Sequence, residues 1–95
     1  VPEVAQTGSS PTRAAIDGFL AMLAAERGAA ANTLAAYRND LGGAATLIGD
    51  LVSAPPTALA ALGEGWADLA PASRARKASA LRQFYGFLVE EGLRA

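Results

Sequence analysis

Apolar residues along this chain return every third or fourth position and never settle into alternation, a pattern that admits helices and excludes strands. Ile16, Phe19, Leu20 and Leu23 step by three, one and three, which is the stripe of a helix with one face turned to a core. Leu34, Tyr37, Leu41, Ala45 and Ile48 repeat the rhythm, as do Leu59, Leu62, Trp66 and Leu69, and then Leu81, Phe84, Tyr85 and Leu88. β-Branched residues, which favour strands, are few. A core is expected from Ile16, Phe19, Leu23, Leu34, Tyr37, Leu41, Ile48, Leu62, Trp66, Leu81, Phe84 and Leu88.

Glycine and proline divide this pattern into four segments. The first helix opens at Pro11-Thr12 and runs to about Arg27, where Gly28 can take the left-handed conformation that closes many helices. The second runs from Ala31-Asn32-Thr33 to about Leu51; Gly42-Gly43 in its middle lowers its propensity and permits either a close neighbour or a bend. Pro55-Pro56 stops it, and Thr57 is placed to cap the next helix. The third helix is expected to be short, with a broken or 3₁₀ second half at Gly63-Glu64-Gly65. The fourth begins at Pro71, a residue suited to the first helical position, and runs to about Glu90, with Gly92 as its stop. Residues 1–11 read as a flexible lead-in and residues 12–95 as one all-α domain. The second and fourth helices should pack on the first, with Trp66 closing one end.

Chemistry is narrowed by what the composition lacks. With no cysteine and no histidine there is no disulfide, no zinc site of the usual kind and no histidine-based catalysis. The acidic residues are scattered, and the glycines form no phosphate-cradling loop. No apolar run has membrane-spanning length, and no signal-peptide pattern opens the chain. A binding or assembly module remains, with no catalytic residue, metal or cofactor expected.

Charge points to the partner. The formal net charge is −1, yet Arg74, Arg76, Lys77 and Arg82, half of the eight basic residues, cluster in the fourth helix with no acidic residue among them. Local positive charge on an otherwise acidic chain suits a polyanion. With Leu81 at the centre of the apolar side, Ala78, Phe84, Tyr85 and Leu88 lie within about 60° of it at 100° per residue. Arg76, Ser79, Arg82, Gln83 and Gly86 then fall opposite, on a face able to approach a nucleic acid groove. The competing reading is a helical protein-interaction domain whose basic face meets an acidic protein.

Two motifs carry a resemblance. Ala31-Asn32-Thr33-Leu34-Ala35-Ala36-Tyr37-Arg38-Asn39-Asp40-Leu41 resembles the second-helix pattern of the N-terminal core-binding, or SAM-like, domain of tyrosine recombinases of the Xer and phage-integrase type. Pro71 to Leu88, containing Ser79-Ala80-Leu81-Arg82 followed by aromatics, resembles its fourth-helix pattern, and Glu90-Glu91-Gly92 its helix exit. The two motifs stand about forty residues apart behind an aliphatic first helix, and the resemblance spans Thr12 to Ala95. Ala70 stands where the family often has serine, the second helix is poor in positive charge, and Gly63 and Gly65 shorten the third.

The resemblance implies a compact four-helix bundle of orthogonally packed helices with short loops. It also implies one half of a C-shaped clamp on duplex DNA, with the second and fourth helices toward the major groove. A separate C-terminal domain would carry the catalytic Arg, Lys, His and nucleophilic Tyr, so the chain is expected to be a fragment ending at the interdomain linker. Tyr37 and Tyr85, on the apolar sides of their helices, are not that nucleophile. The implied partners are double-stranded DNA at a recombination site and other recombinase protomers, in a bacterial cytoplasm and away from membranes; alone, the fragment is expected to be a monomer. Thr33, Tyr37, Arg38, Ser73, Arg74, Arg76, Lys77, Ser79, Arg82 and Gln83 are the candidate DNA contacts. Phosphate is the safer assignment for each, although Arg76, Arg82 or Gln83 could read a base edge.

Overall fold

A computed structural model describes residues 11–95; Pro11 stands in the first described helix, as the Pro11-Thr12 opening expects, and the rest of the expected lead-in lies outside the described residues. Among the described residues there are four helices, in order α1 Pro11–Arg27, α2 Ala31–Ile48, α3 Pro56–Gly65 and α4 Pro71–Glu90. No strand occurs among the described residues. Helix α2 packs against each of the other three, and α1 also packs against α4.

The core forms where the four apolar faces meet. Helix α1 buries Thr12, Ala15, Ile16, Phe19, Leu20 and Leu23. Phe19 is the centre of the aromatic packing. Its ring lies 5.6 Å from Phe84 in an edge-on arrangement, 5.8 Å from Phe87, and 6.5 Å from Tyr37 in a near-parallel stack. Phe87 can lie over α1 because Gly18 is beneath it: a Cβ there would stand 3.4 Å from the ring. Helix α2 contributes Leu41 and Ala44, α3 contributes Leu62, and α4 contributes Ala80, Phe84 and Leu88.

Several expectations are corrected. The buried line of α4 is Ala80-Phe84-Leu88, not a face centred on Leu81; Leu81 is half-buried and Ala78 is exposed. Judging by bulk favours leucine, whereas a small residue such as Ala80 lets the helices approach most closely. Leu34, Tyr37, Ile48 and Trp66 are likewise half-buried and pack on the outside of the core. Helix α2 stops at Ile48, because Gly49 adopts φ +88° and turns the chain so that Leu51 points back into the core. Gly42 and Gly43 are exposed with open space where a Cβ would stand, so no neighbour approaches there.

Helix α3 runs unbroken through Gly63 to Gly65, and Trp66 then donates its N–H to the Leu62 carbonyl at 3.0 Å. Two glycines cost about 1 kcal/mol each in propensity, which the burial of Leu62 offsets. Thr57 is not the cap: Pro55 precedes the helix, Pro56 opens it, and no side chain caps its amides. Helix α4 ends as expected at Gly92, φ +73°, where Leu93 N–H donates to the Leu88 carbonyl and Gly92 N–H to that of Val89.

The α2–α3 connection is ordered by polar bonds. Thr12 donates its hydroxyl to Asp50 and accepts from the Leu51 N–H at 2.9 Å. Asp50 also accepts from Val52 N–H and the Ser53 hydroxyl. Tyr85 donates to the Leu51 carbonyl at 2.7 Å, and Arg94 donates to the carbonyls of Val52 and Ala54 while lying 4.8 Å from the Tyr85 ring.

Candidate nucleic-acid interface

Helices α2 and α4 lie side by side, and two polar clusters join them. The first is built on Asp40, which is only 2% exposed. It stands one residue before the buried Leu41, so the phase that carries Leu41 into the core carries its carboxylate against α4. There Arg76 donates Nε to Oδ2 and Nη2 to Oδ1, both at 2.8 Å, and Lys77 donates Nζ to Oδ1 at 3.0 Å. The Arg76 guanidinium, with help from Lys77, holds the Asp40 carboxyl below its ordinary value against the opposing effect of burial. Two cations against one carboxylate leave this junction with an excess of positive charge.

The second cluster is built on Gln83, about two turns further along α4. Gln83 donates Nε2 to the Tyr37 hydroxyl at 3.2 Å and to the Ser79 hydroxyl at 3.0 Å, while its Oε1 accepts from Arg27 at 3.3 Å. Its amide is therefore engaged at both ends. Tyr37 is half-buried, with its ring on Phe19 and its hydroxyl at the rim.

The candidate residues divide into three groups. Arg76, Lys77, Ser79, Gln83 and Tyr37 meet along the α2–α4 seam. Lys77 is tucked in: its side chain is 20% exposed and its ammonium sits 5.5 Å from the centre of the Trp66 ring, so its head is less wet than its place on the helix edge suggests. Ser73 is half-buried, and Thr33 and Arg74 are exposed on the first turns of α2 and α4. Arg82 and Arg38 stand apart. Arg82 is about 120° around α4 from Arg76 at 100° per residue. It borders an open groove with Leu59, Trp66, Ala78, Leu81 and Tyr85. Arg38 pairs with Asp17 of α1 at 2.8 Å, not with the surroundings of Asp40. Of Arg76, Ser79, Arg82 and Gln83, Arg76 and Gln83 bond to side chains of α2, Ser79 bonds to Gln83, and Arg82 lies beside the open groove.

Sequence reasoning missed the burial of Asp40. The one local signal was Lys77, whose place on the apolar side of α4 covers its stem and leaves its ammonium close to whatever α2 presents there. Among the described residues no cluster of acidic side chains is suited to hold a metal ion, and no helix is long and apolar enough to cross a membrane.

Comparison with known proteins gives the frame for this surface. The chain is 75% identical over 81 residues to Tyrosine recombinase XerC of Erythrobacter litoralis, an alignment that covers 85% of this chain and 26% of that protein. The chain is homologous to the Xer tyrosine recombinases. Tyrosine recombinase XerD of Agrobacterium fabrum is 45% identical over 93 residues, covering 85% of this chain and 26% of that protein. XerD of Caulobacter vibrioides is 44% identical over 84 residues, covering 82% and 28%. No family model matches the chain, and no solved structure matches it. The chain spans about a quarter of the length of these Xer recombinases. The resemblance read from the α2 and α4 motifs is therefore supported by relatives that carry the recombinase name.

Proposed function

We propose that this domain is a duplex-DNA-holding module of a site-specific tyrosine recombinase, and that it meets DNA along the α2–α4 seam. The observation that carries the reading is the concentration of donors on that seam, Arg76 and Lys77 above all, in a chain 75% identical to a tyrosine recombinase. Recombination requires DNA to be held while strands are exchanged, and a seam of fixed cations and hydroxyls supplies phosphate contacts. Thr33 and Arg74, exposed at the starts of the two helices, extend the same surface toward flanking phosphates. Arg82 would contact phosphate from the far side of α4. Arg38 joins only if DNA displaces Asp17.

Strand cleavage belongs, on this reading, to another part of the recombinase, and partner protomers meet through the assembled complex. Binding by the chain alone is expected to be weak and steeply salt-dependent, because few counterions are released. Titration of a mixed-sequence duplex into the ¹⁵N-labelled chain tests the proposal. Amide shifts concentrated in α2 and α4 support it; shifts in neither helix at low salt reject it. An acidic protein partner would be indicated if duplex DNA leaves the seam unmoved and a polyglutamate peptide does not.

A further inference from the structure

We propose that Asp40 is a positioning residue for DNA recognition: its buried carboxylate holds Arg76 by one edge so that the free Nη1/Nη2 edge is presented to DNA in a fixed orientation. The inference rests on the DNA-binding reading above and adds to it a division between residues that touch DNA and one that aims them.

Planarity carries the argument. A guanidinium has five N–H donors in one rigid plane. Asp40 engages one on Nε and one on Nη2 by a side-on pair of hydrogen bonds. Both Nη1 donors and the second Nη2 donor remain; that Nη2 donor and one on Nη1 run parallel along the next edge of the plane, about 120° round from the one the carboxylate holds. That edge has the spacing to take two phosphate oxygens or the O6 and N7 of guanine. The Arg76 side chain is 45% exposed whereas that of Asp40 is 2% exposed, so the carboxylate lies behind and the guanidinium in front. Arginine otherwise brings several freely rotating bonds to a contact, and their ordering opposes binding. Here that ordering is complete before DNA arrives.

Asp40 acts on charge as well as on aim. Its negative charge offsets one of the two cations at the seam and retains Lys77. It thereby lowers attraction to any duplex while sharpening the contact that Arg76 makes. Removing the charge without changing the shape should move these two properties in opposite directions, which loss of structure cannot do.

The test uses the full 95-residue chain, one duplex selected by the wild type from a randomised pool, and a mixed-sequence duplex of the same length. Asp40→Asn is expected to bind the mixed duplex several-fold more tightly, with a log–log salt slope steeper by about 1 as Lys77 becomes free for phosphate. The preference for the selected duplex should fall by threefold or more. Arg76→Lys keeps the charge and loses the fork; it should bind the mixed duplex as the wild type does while losing the preference. Because Arg76→Lys leaves Asp40 paired, it decides the matter even if Asp40→Asn is poorly folded by circular dichroism. Unchanged preference in Arg76→Lys overturns the proposal and leaves DNA binding intact. Equal weakening on both duplexes in a folded Asp40→Asn chain, with an unchanged salt slope, also overturns it by showing a purely structural carboxylate. A wild-type chain that binds neither duplex overturns the DNA-binding reading itself, and this inference with it.

Discussion

Asp40 and Arg76, thirty-six positions apart in the chain, meet through two parallel hydrogen bonds of 2.8 Å that join the middle of α2 to the first turns of α4. The carboxylate is enclosed and the guanidinium is not, so the pair acts differently on stability from each side. Losing Asp40 leaves two cations able to reach water. Asp40→Asn, which keeps the shape, should cost on the order of 1.5–3 kcal/mol near neutral pH, the range for hydrogen bonds to a charged group. Urea unfolding followed by circular dichroism measures it.

Acid should erase that difference. The folded Asp40 titrates below its ordinary 3.8, so its contribution is present above that value and is lost as pH falls through the lower folded one. Asp50 is lowered in the same direction, chiefly by the Thr12 hydroxyl and then by Ser53. Wild-type stability should therefore decline below about pH 4. The gap between wild type and Asp40→Asn should close over the same window, whereas Thr12→Val should retain part of its own deficit there.

Thr12→Val is expected to be costly for its size. Valine matches the volume but removes the acceptor for the Leu51 N–H, a buried bond, and the donor to Asp50. Leaving a buried amide unpaired costs about 1–3 kcal/mol. Faster exchange of the Leu51 amide relative to those of α1 would locate the effect.

Core truncation should follow burial and not apolar character. Phe84 is fully buried and touches Phe19 and Tyr85, so Phe84→Ala should cost about 3–5 kcal/mol. Leu81 borders an open groove, and Leu81→Ala should cost clearly less. Thermal melts of the two variants compare them directly; equal losses would contradict burial as the determinant.

On DNA, Arg82→Ala and Arg76→Ala should separate. Arg82 makes no hydrogen bond or ion pair to another described residue, so its loss should reduce the salt slope by about 1 and leave the melting temperature unchanged. Arg76→Ala also exposes the seam to the Asp40 charge and should weaken binding more. Tyr85→Phe removes only the bond to the Leu51 carbonyl, and should lower stability by about 0.5–1.5 kcal/mol while sparing DNA affinity. Fluorescence anisotropy over a salt series reads all three.

The helices were legible because three- and four-residue spacing is a local property, and so were the stops at Gly28 and Gly92. The features that escaped depend on partners remote in the chain. Asp40 looks like an ordinary polar residue until Arg76 and Lys77 are brought to it. Ala80 looks too small to mark a core, yet small size is what permits close contact between helices. Leu51 and Ala54 lie beyond the periodic segments, and their burial comes from the Thr12 and Asp50 bonds that fold the connection inward. Arg82 was grouped with Arg76 because a helical wheel records angle and cannot show that α2 packs on the Arg76 side of α4 while an open groove runs beside Arg82.

The Arg94 contacts have a mechanical consequence. Its guanidinium grips the carbonyls of Val52 and Ala54, and that connection is in turn fastened to Thr12 at the head of α1. A pull on the chain at Arg94 is shared among α4, the α2–α3 connection and α1, and does not peel α4 away from its end. Tension arriving from that side would turn the four helices as one rigid lever.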